Sequence, residues 1–319
     1  MARPKMNGLA VEGAVIIPDD RFEYMKPEDA MALGALVMPK EIHVEHIKRQ
    51  WRNIAYGPEE GQLLDIYLPE EGDGPFPTVL YVHGGGWVLG TRDSSAIDLA
   101  IDGVNRGYAV VGIDYRLVPT VAFPEYIWDV KTAVRFLRVH AAEYKLDPER
   151  FGMMGDSAGG HITLMNAVTQ NHPEYEGPFG FEGESTKLSC CVSLYGVSCF
   201  DPDKEDEWFL ESKVPRMGMK AKPSLYDVMF GEDIQNLINL VSPINMVNTD
   251  MPPVLFLHGL ADPLVAYQNS KEMYEKMLKI CGEGSAEMEL FEGLTHADPA
   301  FLTKPFQDKI FAFFDKHLK

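Results

Sequence analysis

Six short apolar runs, spaced through the last three quarters of the chain, restrict the fold more than any other feature. They are "TVLYVH" (78–83), "YAVVGIDY" (108–115), "RFGMMG" (150–155), "CCVSLYG" (190–196), "VLFLHG" (254–259) and "MELFEG" (288–293). Most are nearly continuous in apolar residues, as strands covered on both faces must be. A seventh run, "LLDIYL" (63–68), alternates and reads as a half-exposed strand before the acidic turn "PEEGDGPFP". Between the runs, apolar residues recur at helical spacing. Ile127, Val130, Val134, Leu137 and Ala141 mark one helix over 124–143, Ala158, Ile162, Met165 and Val168 a second over 158–169, and Met273, Met277 and Ile280 a third over 268–280. Strands alternating with helices imply an α/β fold, with a mostly parallel sheet and helices on both faces.

Two stretches break the alternation: residues 1–50 and an insertion at about 199–250. Both mix Met, aromatic and charged residues with scattered Pro. They are expected to form a cap over one end of a core spanning 51–319, not separate domains. The 319 residues suffice for one large core. The formal net charge of −19 opposes nucleic acid or an anionic membrane as partner. The four cysteines, Cys190, Cys191, Cys199 and Cys281, form no CxxC pair and no cluster with metal spacing, so no metal is expected. Thiols without a disulfide framework, and an apolar start broken by Glu12 and Gly13, suggest a cytoplasmic protein.

Gly155-Asp156-Ser157-Ala158-Gly159 has the form G-x-S-x-G, between the run "RFGMMG" and the helical "AGGHITLMNAV". A strand entering a helix through one residue exposes that residue's side chain at the carboxyl edge of the sheet. Glycines on both sides let the two backbones pass without Cβ clashes. Ser157 is therefore a candidate nucleophile. A phosphate loop fits worse, because His161 and Ile162 follow the last glycine where Lys-Ser/Thr would be needed.

His83-Gly84-Gly85-Gly86-Trp87 follows a strand directly. Main-chain N–H groups there are unshielded by side chains, so these successive glycines, with Ala158 after the nucleophile, are candidate oxyanion donors. His83 is expected to brace this loop by hydrogen bonding. A serine nucleophile needs a base, and the base a carboxylate. Of the histidines after Ser157, His161 shares its helix, His172 lies in a Pro/Gly-rich region, His258 sits inside an apolar run and His317 near the C-terminus. His296, in the loop after the last strand run, is left as the base. Asp262, in the loop just beyond the penultimate strand, is the candidate acid; Asp298 is its rival but lies too near His296 to reach Nδ1 freely, and Asp156 is expected to be structural.

Taken together, HGGGW (83–87), DYRLVP (114–119), the FP-x₄-D stretch (123–129), LDPERFGMMGDSAGGH (146–161), HGLADPLV (258–265) and the His of LTHAD resemble the hormone-sensitive-lipase-like esterase branch of the α/β-hydrolase superfamily. "FPEYIWDVKTAVRFLRVHAAEYKLDPER" and "HGLADPLVAYQNS" are also similar to bacterial carbohydrate acetyl and feruloyl esterases. The resemblance runs from about residue 60 to the C-terminus. It implies an eight-stranded sheet, ester hydrolysis by Ser157, His296 and Asp262, an oxyanion hole from Gly84, Gly85 and Ala158, no cofactor, and a helical cap. The chain departs from lipase-like relatives at Val118-Pro119, where they often carry Ala-Pro, and at Ala297-Asp298 after the histidine. These departures bear on the shape of the pocket, hence on substrate.

The expected partner is a small-molecule ester, and a homodimer is compatible with the sequence. Short acyl groups are favoured, because "DPDKEDEWFLESK" interleaves Trp208, Phe209 and Leu210 with charge and makes no long apolar face. Trp87, Trp208 and Phe209 are candidate substrate contacts, the aromatics as stacking platforms for a sugar; the alternative is that they only pack the cap and support the site. The other readings are an aryl formamidase or amidase with the same residues, and a non-catalytic ligand-binding protein on the same fold.

Overall fold

A computed structural model describes residues 44–118, 120–170, 172–213 and 234–319. Eight strands form one sheet: β1 (Gln50–Ala55), β2 (Leu63–Tyr67), β3 (Phe76–Val82), β4 (Ala109–Ile113), β5 (Leu146–Asp156), β6 (Cys190–Leu194), β7 (Val254–Gly259) and β8 (Ala286–Phe291). Their order across the sheet is β1-β2-β4-β3-β5-β6-β7-β8. The pairs β1/β2 and β2/β4 are antiparallel, and every pair from β4 to β8 is parallel. β3, β4, β6 and β7 are buried along their whole length, which is why each reads as an unbroken apolar run.

The helices are α1 (Asp98–Asn105), α2 (Glu125–Val139), α3 (Ala158–Val168), α4 (Pro202–Ser212), α5 (Ile234–Val241), α6 (Gln268–Cys281) and α7 (Lys304–Leu318). Apolar residues of α2, α3 and α6 pack on one face of the sheet, and those of α1 and α7 on the other. The segment expected as cap through residue 50 lies outside the described residues up to residue 43. From there Val44 and Ile47 pack with α1 and α7, and Gln50 opens the edge strand. The insertion contributes α4 and α5, with residues 214–233 outside the described part. α4 starts where its sequence directs it to: Asp201 accepts hydrogen bonds from the N–H groups of Asp203 and Lys204, and Pro202 occupies the first turn, where no N–H is needed.

Candidate active site

β5 ends at Asp156 and α3 begins at Ala158, so Ser157 alone joins them. Its backbone sits at φ 52°, ψ −116°, a region that L-residues rarely adopt. The surroundings enforce it. A Cβ on Gly155 would stand 2.3 Å from the Gly159 oxygen, and one on Gly159 would stand 2.1 Å from the Val82 oxygen. The Ser157 N–H donates to the Leu194 carbonyl at 2.9 Å, which ties the turn to β6.

The loop after β8 brings His296 to this serine, with Nε2 2.9 Å from Ser157 Oγ. The loop after β7 brings Asp262, whose Oδ2 lies 2.7 Å from His296 Nδ1. A carboxylate accepts only, so Nδ1 carries the ring proton and Nε2 is the acceptor for the serine hydroxyl. Asp262 Oδ1 accepts the N–H groups of Leu264 and Val265, each at 2.9 Å. Burial opposes the charge on this carboxylate, but attraction to His296 and hydrogen bonds from His258 and His296 outweigh it and hold the carboxyl well below the usual range. Tyr195 sets its ring edge-on to His296, centroids 4.9 Å apart. Asp298 points elsewhere: it accepts from Thr295 and from the Ala300 N–H, capping the turn Pro299–Leu302.

The glycine loop corrects one expectation. The N–H of Gly84 donates to Asp156 Oδ1 at 3.0 Å, so it has no hydrogen left to offer an oxyanion. Gly85 and Gly86, at φ 112° and 58°, give their N–H groups to no acceptor among the described residues, and Ala158 is the first residue of its helix. The open donors are therefore Gly85, Gly86 and Ala158. Asp156 also accepts from the Tyr81 hydroxyl at 2.9 Å, so it links the elbow, β3 and the glycine loop. Burial pushes its carboxyl up, against the opposing pull of Tyr81, His83 and the Gly84 N–H. His83 Nδ1 contacts the Gly84 carbonyl at 2.7 Å, its ring stacks on Tyr115 at 4.3 Å, and the Tyr115 hydroxyl donates to the His83 carbonyl.

Two expected substrate contacts are also corrected. Trp87 is 4% exposed, with its indole N–H on His161 Nδ1 at 3.1 Å. Trp208 is 5% exposed, with its indole N–H on Glu272 at 2.8 Å, and it fastens α4 to α6. Burial of a large ring and use of its one donor leave neither free as an open stacking platform. The side chain of Phe209 lies outside the described part. His161 gives Nε2–H to the Val241 carbonyl at 2.9 Å, and burial pushes its pKa down to about 4. His258 is buried beside Asp262, a neighbour its apolar run did not reveal. Arg116 and Asp129 of the DYR and FP-x₄-D motifs form a multiple ion pair that holds the loop beyond β4. A cavity of about 490 Å³ opens there, lined among others by Glu59, Glu60, Thr91 and Thr120. Among the described residues no group of His, Cys, Asp and Glu is arranged to hold a metal, and no helix is long and apolar enough to cross a membrane.

The family model described as BD-FAE matches residues 64–277, more than half of the chain. The chain belongs to the BD-FAE family. It thus stands among the α/β-hydrolase esterases, in the branch its motifs resemble. The BD-FAE match contains Ser157 and Asp262 and ends before His296, which the structure alone brings to the serine. Esterase LipC of Mycobacterium tuberculosis is 27% identical over 293 residues, covering 88% of this chain and 67% of that protein. Esterase LipQ of the same organism is 31% identical over 231 residues, covering 70% of this chain and 51% of its own length. The chain spans about half to two thirds of the length of the curated relatives it matches. Among solved structures, a truncated carbohydrate esterase from gut microbiota has a similar fold. Its TM-score is 0.76 at 24% identity, over 88% of this chain and 98% of that one.

Proposed function

We propose that this esterase-family chain hydrolyses carboxylic esters through Ser157, His296 and Asp262, and that its acyl groups are short. The observation that carries the reading is the continuous relay of 2.9 Å from Ser157 Oγ to His296 and 2.7 Å from His296 to Asp262. In this mechanism Oγ attacks the ester carbonyl as Nε2 takes its proton, and the Asp262 charge stabilises the imidazolium that forms. The carbonyl oxygen becomes an alkoxide facing the N–H groups of Gly85, Gly86 and Ala158. Collapse expels the alcohol, which takes the proton from Nε2, and water repeats the sequence on the acyl-enzyme.

The short-acyl part rests on the cap. The described part of α4 turns Trp208 inward, and Leu210, 79% exposed, is the one large apolar side chain exposed among the described residues of that helix, which is otherwise rich in Asp and Glu. That is a poor surface for a lipid interface. Acetylated or feruloylated carbohydrates are the natural esters favoured by the likeness of the stretches at 123–150 and 258–270 to carbohydrate acetyl and feruloyl esterases. The carbohydrate-esterase relative of the same fold is in keeping with that reading.

The test is kcat/KM across acetyl to palmitoyl esters of one alcohol, acetylated and feruloylated sugars, and aryl formamides. The expected optimum lies at about two to six carbons, with Ser157→Ala lowering kcat by roughly 10⁶ in a folded protein. An optimum at ten carbons or more would remove the short-acyl claim. Aryl formamides outrunning every ester would make the chain an amidase using the same residues. Near-normal turnover by Ser157→Ala would end the serine mechanism.

A further inference from the structure

Asp262 lies between two histidines. His296 reaches its Oδ2 from the loop after β8, and His258, the fifth residue of β7, reaches the same oxygen from the other side with Nε2 at 3.3 Å. His258 Nε2 is also 3.0 Å from the Val265 carbonyl, and its Nδ1 is 2.7 Å from Ser270 Oγ in the first turn of α6. These partners fix the tautomer. A carbonyl and a carboxylate both accept only, so Nε2 must carry the hydrogen and share it between them. Nδ1 of the neutral ring is then a lone pair, and the Ser270 hydroxyl donates to it.

We infer that His258 is a positioning residue for the hydrolytic relay, a second histidine that orients the Asp262 carboxylate toward His296. The inference rests on the reading of Ser157, His296 and Asp262 as the hydrolytic residues.

The geometry explains why one side is not enough. The main-chain N–H groups of Leu264 and Val265 both hold Oδ1. They fix that oxygen but leave the carboxylate free to rock about it, which moves Oδ2 away from Nδ1. The Nε2–H of His258 stops that motion at the oxygen His296 uses. Ser270 holds the far end of the ring, so the chain runs from α6 through β7 to the reacting serine. Unlike the main-chain donors, the two side chains in this support can be replaced one at a time. The same contact helps keep the carboxylate charged, alongside the stronger attraction of His296 against the cost of burial.

The test is a double-mutant cycle read in kcat and KM with a short acetyl ester, with folding of each variant checked by circular dichroism and thermal melting. A hydrogen bond to a charged group is worth about tenfold to hundredfold in rate. His258→Leu is therefore expected to lower kcat by that factor with KM within about twofold, and His258→Gln, which restores an N–H donor, to recover part of it. Ser270→Ala is expected to lose less, about threefold to tenfold, in a chain that keeps the ring. In the Asp262→Asn background, His258→Leu should cost little more, because its effect acts through the carboxylate. Equal losses from His258→Leu with and without the carboxylate would overturn the inference and make the histidine a packing residue. So would full kcat in a folded His258→Leu protein. If His258→Leu fails to fold, the same comparison made with Ser270→Ala decides: an effect that persists undiminished in the Asp262→Asn background overturns the proposal. If Asp262→Asn alone keeps kcat, the underlying triad reading fails instead, and the two failures are told apart.

Discussion

At the scale of single residues, Ser157 and Asp262 are held in different ways. Ser157 is held by steric exclusion, because glycine at 155 and 159 leaves room only for backbone. Asp262 is held by donors, which fill both of its oxygens. Asp262→Asn keeps the shape but offers an N–H2 where two histidines donate, and it removes the charge facing imidazolium. We expect kcat to fall by about 10⁴, the scale seen for the same change in a serine protease. Asp298→Asn should change kcat by less than about threefold, since Asn caps a turn as well as Asp. Steady-state kinetics on both variants checks the ranking, and the reverse order would move the acid to 298. Serine, base and acid could be read from the chain because each follows a strand run by a short loop. The state of Gly84 could not: three glycines in a row look alike, and only the fold brings the Asp156 carboxylate to one of them.

At the scale of elements, the glycine loop, α3 and the cap insertion meet on one imidazole. His161 on α3 takes the indole N–H of Trp87 and gives its own N–H to Val241 at the end of α5. This requires the neutral ring, and burial pushes its pKa down to about 4 from 6.5. As pH falls through 6.5, the unfolded chain takes up a proton that the folded ring refuses until about pH 4. Stability from this group is complete above about 6.5 and is lost between there and 4, by on the order of 3 kcal/mol. Urea melts at pH 7, 5.5 and 4.5 should show the decline, and His161→Gln should flatten it. An unchanged slope in the variant would assign the acid sensitivity to other groups. Two of the elements that escaped the sequence reading did so for opposite reasons. β1 is an edge strand with a bulge between Trp51 and Ile54 and mostly exposed side chains, so it lacks a buried stripe. α7 has a strong stripe in Phe306, Ile310, Phe311 and Phe314, but nothing in the strand alternation requires a helix after the last strand.

At the scale of the whole molecule, the middle of the sheet was legible because complete burial of β3, β4, β6 and β7 leaves an unmistakable composition in those strands. How the insertion covers the site was not, since Trp208 could equally face a ligand or the core until Glu272 took its N–H. Charge is the other whole-chain property. A formal net charge of −19 repels anionic esters at a distance, and salt screens that repulsion. For an acetyl ester carried on a hydroxyl of a uronic acid whose carboxylate is free, kcat/KM should rise severalfold between about 10 and 200 mM NaCl, while a neutral acetyl ester stays within about 1.5-fold. Stopped-flow or initial-rate measurements on the pair give the comparison, and equal salt responses would discount the long-range field.

The relay also sets a clock on assembly. Ser157 and His296 stand 139 positions apart in the chain, and they touch only once β5, β6, β7 and β8 lie side by side. Helices form from local contacts well before such distant strands pair. During refolding the ellipticity signal should therefore return first and turnover last, with the interval between them timing the closure of the far edge of the sheet.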